Sequence, residues 1–385
     1  MKLKKCANGH YYDGGVFIKC PYCTGAEETA DEITELSSEY GFLGTLRPYA
    51  KGSTSVVYTI TPHTQDVQGS GAVPAPKYAL KVVRCRGNRE MRNRVKKEIH
   101  FLALLRKCGH IVQVVSKSED KVRCCILEEY CEPFSKKWRR TGLTYREILR
   151  LGEDICKAVT ECMEHGIMHL DIQPKNILMA EDGTFKLCDF SSAEFEDTRC
   201  KVYSEFRHGT LAYLAPEAYK DGKYSEQSEM YSLGILLYCI LNGGMLPFTK
   251  EMDLRTAIEK RLEGAPLPPL KRHIPGLAEV VMKACAYHMD ERYRSIAELQ
   301  KTLEELRKNL PEDLAEEKLL YWEMRTDALE PRGVLFDSEQ AATSLLETIQ
   351  MRDEGEVPPG GATGASSSGG ASGMERWLDT IDPEE

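Results

Sequence analysis

What this chain of 385 residues lacks narrows the field first. No apolar run approaches the ~20 residues that a membrane-spanning helix needs. Positive charge is not in excess: 51 Lys and Arg stand against 60 Asp and Glu, for a net charge of -9. That balance argues against bulk binding to nucleic acid or to an anionic lipid surface. The N-terminal lysines are not followed by an apolar core, because Cys6 to His10 interrupts it, so a signal peptide is not expected. What is present is ordinary for a soluble globular protein: 42% hydrophobic and 29% charged residues. The length fits about two to three domains at ~150 residues each. The 14 cysteines are mostly scattered through apolar patterns. A disulfide framework is not expected in a chain large enough to build a full core, which favours a reducing, cytoplasmic setting.

The most informative stretch is His169-Leu170-Asp171-Ile172-Gln173-Pro174-Lys175-Asn176, followed by Asp189-Phe190-Ser191. It sets a carboxylate, a carboxamide and a second carboxylate at fixed intervals around a strand–turn–strand. Asp171 can accept a proton or orient a hydroxyl. Asn176 and Asp189 are hard oxygen ligands of the kind that hold Mg²⁺ against a phosphate chain. Upstream, the apolar strand Tyr78-Ala79-Leu80-Lys81 delivers one lysine, and a helical pattern seventeen residues later delivers Glu98. Downstream comes Gly209-Thr210-Leu211-Ala212-Tyr213-Leu214-Ala215-Pro216-Glu217.

In this order the motifs resemble the protein kinase superfamily, most of all the bacterial, eukaryotic-like Ser/Thr protein kinases, over residues 41–308. The resemblance implies an α+β fold of two lobes, β-rich over 41–131 and helical over 132–308, with ATP and Mg²⁺ in the cleft between them. It implies that Lys81 pairs with phosphates and with Glu98, that Asp171 is the catalytic base, and that Asn176 and Asp189 hold Mg²⁺. A phosphate-covering loop would run through Ala50, Gly52 and Ser55. Val57 and Ala79 would cover the adenine, Leu178 would lie beneath it, and the Glu129-Tyr130-Cys131 backbone would read its edge. Thr210 and the segment to Glu217 resemble the Ser/Thr form of a protein-substrate platform.

Several positions depart from the family pattern. Ala50 and Ser55 stand where two loop glycines are usual; small residues still let backbone N–H groups approach phosphates, with less freedom than glycine. Glu128 is a charged residue at the gatekeeper position. Leu170 stands where most members have Arg, so no arginine there needs an activation-segment phosphate, and activity should not depend on phosphorylating Thr198 or Ser204. Gln173 replaces the lysine that contacts the γ-phosphate in Ser/Thr kinases; Lys175, two residues on, either replaces it or faces solvent. Ser191 replaces a glycine. Glu229 replaces an Asp that accepts hydrogen bonds from the catalytic-loop backbone. Glu217 and Arg294 are expected to form a buried pair.

Outside 41–308 the chain divides by composition. Cys6, His10, Cys20 and Cys23 supply four ligands at spacings that fit one structural zinc in a zinc-ribbon-like unit over 1–25; a redox pair or chance spacing are the alternatives. Residues 26–40 are acidic and read as a linker. Residues 309–350 suggest a helical extension through Leu319, Leu320 and Trp322. Residues 351–385 are Gly/Ser-rich and read as disordered, ending in a short acidic motif that is either a solvated tail or a docking peptide. The basic run 136–140 reads as a solvated helix face before a docking site. The expected function is ATP-dependent phosphorylation of Ser/Thr in protein substrates, with autophosphorylation, in cytosolic signalling, with no nucleic acid or membrane partner. The rival is a pseudokinase scaffold that binds nucleotide weakly and works through its zinc unit and tail. A small-molecule kinase is a third reading, disfavoured by the Gly209–Glu217 platform.

Overall fold

The computed structural model describes residues 3–5, 11–13, 36–51, 55–63, 76–196, 210–270 and 274–321. Near the N-terminus, Leu3–Lys5 pairs antiparallel with Tyr11–Asp13. Cys6, His10, Cys20 and Cys23 lie outside the described residues, as do Gly52, Thr198, Ser204, Gly209 and everything after 321.

The first lobe is an antiparallel sheet of five strands: β1 (Thr45–Lys51), β2 (Ser55–Thr61), β3 (Tyr78–Arg84), β4 (Val114–Glu119) and β5 (Arg123–Glu129). Their order is β1-β2-β3-β5-β4. β2 and β3 are rich in the β-branched and aromatic residues that suit a pleated, half-buried surface. Register then sorts the side chains. Val57 lies opposite Lys81, and Ala79 lies opposite both Thr59 and Glu128. Directly opposed residues of antiparallel strands share a face, so Val57, Ala79, Lys81 and Glu128 all belong to one face. The alternate residues Tyr58, Leu80, Val82, Cys125 and Leu127 form the other and are buried with Leu46, Leu36 and Tyr40.

The last two of these residues revise the linker. Residues 36–40 are helical, and Leu36 is fully buried. Tyr40 Oη lies 2.7 Å from Ser118 Oγ, and Arg123 donates to Glu39 at 2.7 Å. The end of the acidic segment is therefore part of the first lobe. One buried pair at i and i+4 is too short a pattern for periodicity to reveal.

Helix α1 (Arg89–Leu104) is capped by Asn88, whose side chain accepts from the Met91 N–H, and it turns Val95, Glu98, Phe101 and Leu102 inward. The second lobe is helical: α2 (Phe134–Thr141), α3 (Tyr145–Glu164), α4 (Pro216–Asp221), α5 (Glu226–Leu241), α6 (Leu254–Leu262), α7 (Leu277–Ala284) and α8 (Ile296–Lys308). α3 begins at a capping box of Thr144 and Glu147 and buries Ile148, Leu151, Ile155 and Val159, the stripe that the sequence spacing marks. α5 is buried almost all round.

The helical lobe does not stop at 308. A short helix, Glu312–Ala315, leads to the strand Lys318–Leu319, which pairs antiparallel with Leu143–Thr144. Trp138 Nε1 donates to the Leu319 carbonyl at 3.3 Å, and the Tyr321 ring meets Trp138 edge-on at 4.9 Å. Leu319 is thus in a strand and not in the helix expected; a two-residue strand carries no period to read. In the basic run, Trp138 is the buried anchor, while Lys137 pairs with Glu147 and Lys136 with Glu132.

Candidate active site

Lys81 reaches inward from the middle of β3. Its Nζ donates to Glu98 Oε1 at 2.6 Å and to Asp189 Oδ1 at 2.9 Å. Burial works against the ammonium charge, but Asp189 and Glu98 outweigh it and hold the Lys81 pKa well above its ordinary value. Burial likewise opposes the Asp189 carboxylate, and Lys81 overcomes it, so Asp189 stays ionised far below the usual range. The two pairs join β3, α1 and the turn at Asp189. That turn is strained: Asp189 has φ 62°, a left-handed conformation that costs a non-glycine residue free energy. Phe190 behind it is fully buried and meets His169 edge-on at 4.7 Å.

The loop from His169 to Asn176 is built around Asp171. Asp171 Oδ1 accepts from the Thr210 N–H and from Thr210 Oγ1, both at 2.9 Å. Oδ2 accepts from Gln173 Nε2 at 2.7 Å and Asn176 Nδ2 at 2.8 Å. Gln173, 5% exposed, also donates to Thr210 Oγ1 at 2.6 Å, bridging Asp171 to the segment that starts at Thr210. Asn176 Nδ2 donates again to the Asp171 carbonyl at 2.8 Å. Both amide hydrogens are thereby directed at Asp171, and the amide oxygen is the group left to act as a ligand. Lys175 is exposed on the same turn.

Glu229 fixes this loop from α5. Its Oε1 accepts from the Leu170 N–H at 2.7 Å, across Leu170's own left-handed φ of 64°. Burial pushes the Glu229 carboxyl up to about 7, against the backbone N–H groups of Leu170 and His169, which favour the ionised form. Oε2 is buried with no hydrogen-bond partner among the described residues.

Glu128 shares the sheet face of Lys81. Burial pushes its carboxyl up to about 8, with the attraction of Lys81 acting the other way and the Glu98 charge adding to the rise. Glu129 beyond it accepts from Lys186 Nζ at 2.6 Å and from the Gln113 N–H at 2.9 Å, so its side chain fastens the inter-lobe link. Cys131 is buried, and Leu178 lies in the strand Ile177–Met179, half-buried, with Val57 and Ala79 half-buried on the sheet above. Ala50 lies opposite Val57 at the end of β1 and Ser55 opens β2.

One expected pairing is wrong. Glu217 pairs with Arg292, at 2.7 and 2.9 Å, and not with Arg294. The 3₁₀ turn Met289–Glu291 delivers Arg292 inward, where the carbonyls of Ala286, Tyr287 and Gln227 also accept from it. Arg294, two residues before α8, is exposed. Two arginines of like charge two residues apart cannot be ranked without knowing how that turn is wound. Sequence reasoning also passed over Lys97, which donates to Glu194 at 2.5 Å and ties α1 to the segment after Phe190. Arg261 in α6 went unremarked too; its one signal is that it falls on the same helix stripe as Ala257, Ile258 and Leu262.

This arrangement can hold a triphosphate chain at Lys81, a metal at Asn176 and Asp189, and a hydroxyl at Asp171. The protein kinase domain matches residues 51–307. The chain belongs to that family. Among similar proteins, a probable serine/threonine-protein kinase of Clostridium perfringens is 29% identical over 231 residues, 58% of this chain and 33% of that protein. The serine/threonine-protein kinase PknB of Mycolicibacterium smegmatis is 35% identical over 163 residues, 41% and 26% of the two chains. A probable PknB of Lactococcus lactis is 30% identical over 195 residues, 49% and 31%. The match thus spans about a quarter to a third of the length of these relatives.

Proposed function

We propose that this kinase-domain chain transfers the γ-phosphoryl group of ATP to Ser or Thr hydroxyls of protein substrates, its own chain included. The observation that carries this is the joining of Lys81, Glu98 and Asp189 in one ion-paired cluster beside an Asp171 whose two oxygens are both held. Mg²⁺ fits the donor set: Asp189 is ionised, and the amide hydrogens of Asn176 are occupied, leaving its oxygen as a hard ligand. Asn176 and Asp189 would hold the metal, which when bound offsets charge on the phosphates.

The chain's own residues do the rest. Lys81, kept charged against its burial by Asp189 and Glu98, binds phosphate oxygens. Asp171 accepts the hydroxyl proton or orients the hydroxyl, and the four donors on it fix where its carboxylate points. Thr210 and Gln173 couple that carboxylate to the platform on which a substrate chain lies. Gln173 supplies this bridge without charge, and exposed Lys175 is the candidate cation for the phosphate being transferred. Val57, Ala79 and Leu178 are the candidate adenine contacts, with the link at Glu129 to Cys131 along its edge. Ser/Thr specificity is supported by the names of the relatives and by the Thr210–Asp171 bonds. The free thiols of the described cysteines support a reducing, cytosolic setting.

The test is intact-mass and peptide mass spectrometry of the full chain after incubation with Mg-ATP, beside Asp189→Ala. Phosphate on Ser or Thr of the wild type, with none on the variant, is the expected outcome. Absence of phosphate from both the wild type and added protein substrates would sink the proposal and shift the weight to a scaffold, which the neutral Gln173 would suit.

A further inference from the structure

Arg261 is a nearly fully buried arginine, 2% exposed, that sits outside the nucleotide cluster. It occupies the last turn of α6. Nη1 donates to the Leu214 carbonyl at 2.9 Å and to Tyr231 Oη at 2.8 Å, and Nη2 donates to the Leu211 carbonyl at 3.0 Å. All three partners are neutral oxygens. A guanidinium taken out of water is costly unless its hydrogen bonds are made, and here they are made largely to one segment, the platform that follows Thr210.

That segment is held from several sides. Thr210 binds Asp171 at its start. Ser232 Oγ donates to the Tyr213 carbonyl at 3.0 Å. At its far end Glu217 is gripped by Arg292. The Tyr231 ring is common to both arginines, with Arg292 Cζ 4.7 Å and Arg261 Cζ 5.4 Å from its centroid. The carbonyls of 211, 213 and 214 are thus all bonded by side chains of α5 and α6, so the underside of the platform is fixed by the helical lobe itself.

We infer that Arg261 is a positioning residue for the protein substrate: its fork sets the shape of residues 211–214 and, through Thr210, the place of the acceptor hydroxyl against Asp171. This rests on the kinase reading given above. Arg261 touches neither nucleotide nor metal ligands, so it should act on the acceptor side alone. Lysine at this position keeps the charge but is a single point donor and cannot span two carbonyls.

The experiment is two-substrate steady-state kinetics of the full chain with Mg-ATP and a Ser/Thr peptide mixture, comparing wild type, Arg261→Lys and Tyr231→Phe, with intrinsic Mg-ATP hydrolysis and thermal unfolding measured alongside. Losing one charge-assisted hydrogen bond predicts that Arg261→Lys raises the peptide KM about tenfold. The ATP KM and intrinsic hydrolysis should stay within about twofold. Tyr231→Phe removes a bond to Arg261 but none to the platform, and should move the peptide KM less. An active Arg261→Lys protein with unchanged peptide KM would overturn the assignment, as would a parallel rise in the ATP KM. A wild type that neither hydrolyses ATP nor phosphorylates peptide would overturn the kinase reading instead.

Discussion

Glu229 shows how one methylene changes a residue's task. A carboxylate that accepts from the Leu170 N–H through one oxygen leaves the other buried without a hydrogen-bond partner among the described residues. Its folded pKa of about 7 lies above the ordinary 4.5. Between those values the folded state holds more protons than the unfolded one, so stability falls as pH rises from about 4.5 to 7 and is level above. At about 1.4 kcal/mol per pKa unit, the cost at pH 8 is about 3 kcal/mol. Glu229→Gln keeps an acceptor for Leu170 and removes the titration. Its melting temperature should gain on the wild type from pH 5 to pH 8; equal pH profiles for the two would show that the carboxyl titrates normally. Gln173 offers a second case at this scale. In the sequence it looked like a lost charge, yet its amide bridges Asp171 and Thr210.

At the scale of elements, α1 is set by contacts that contain no phosphate. Lys97 bonds Glu194, and Phe101 meets Phe195 edge-on at 4.9 Å. The strand Ile167–Met168 pairs with Glu194–Phe195, fixing the start of the segment beside the loop from His169 to Asn176. With Leu170 in place of an arginine, that position in the loop calls for no added anion. Thr198→Ala and Ser204→Ala, singly and together, should keep peptide kcat/KM within about threefold of wild type; loss of activity in the double variant would show that a phosphate at those positions is needed. The elements proposed to carry the chemistry stand out in the sequence because their spacing is a chemical constraint. Lys81, Glu98, Asp171, Asn176 and Asp189 each have few substitutes for the task proposed above. Leu36, Arg292, Leu319 and Arg261 were not legible, or were misplaced, for the opposite reason. Each is one residue in a turn, a two-residue strand or a short helix, and its position depends on a tertiary partner distant in the chain.

Over the whole molecule, the segment 311–321 behaves as part of the helical lobe. It covers Trp138 and Leu143 and brings Glu312 and Glu316 to Arg146 at 2.7 and 3.1 Å. A chain ending at 308 would expose a tryptophan and strip a strand from Leu143–Thr144. The loss of ~2–3 kcal/mol of apolar burial should lower the melting temperature by about 5–10 °C relative to a chain ending after Tyr321. Equal melting temperatures would mean that the segment only rests on the lobe.

The cysteines have a use that their chemistry alone does not suggest. Cys85, Cys124 and Cys125 are buried in the first lobe, and Cys156, Cys162, Cys239 and Cys285 in the second, all as free thiols. Burial keeps these sulfurs from solvent and raises the pKa of several, Cys124 to about 12 and Cys125 to about 11, so the thiols so raised are not presented as thiolates. An alkylating reagent can then mark each only when its surroundings open. The order in which peptides from the two lobes acquire the label would time the opening of each lobe separately, with no probe added to the chain.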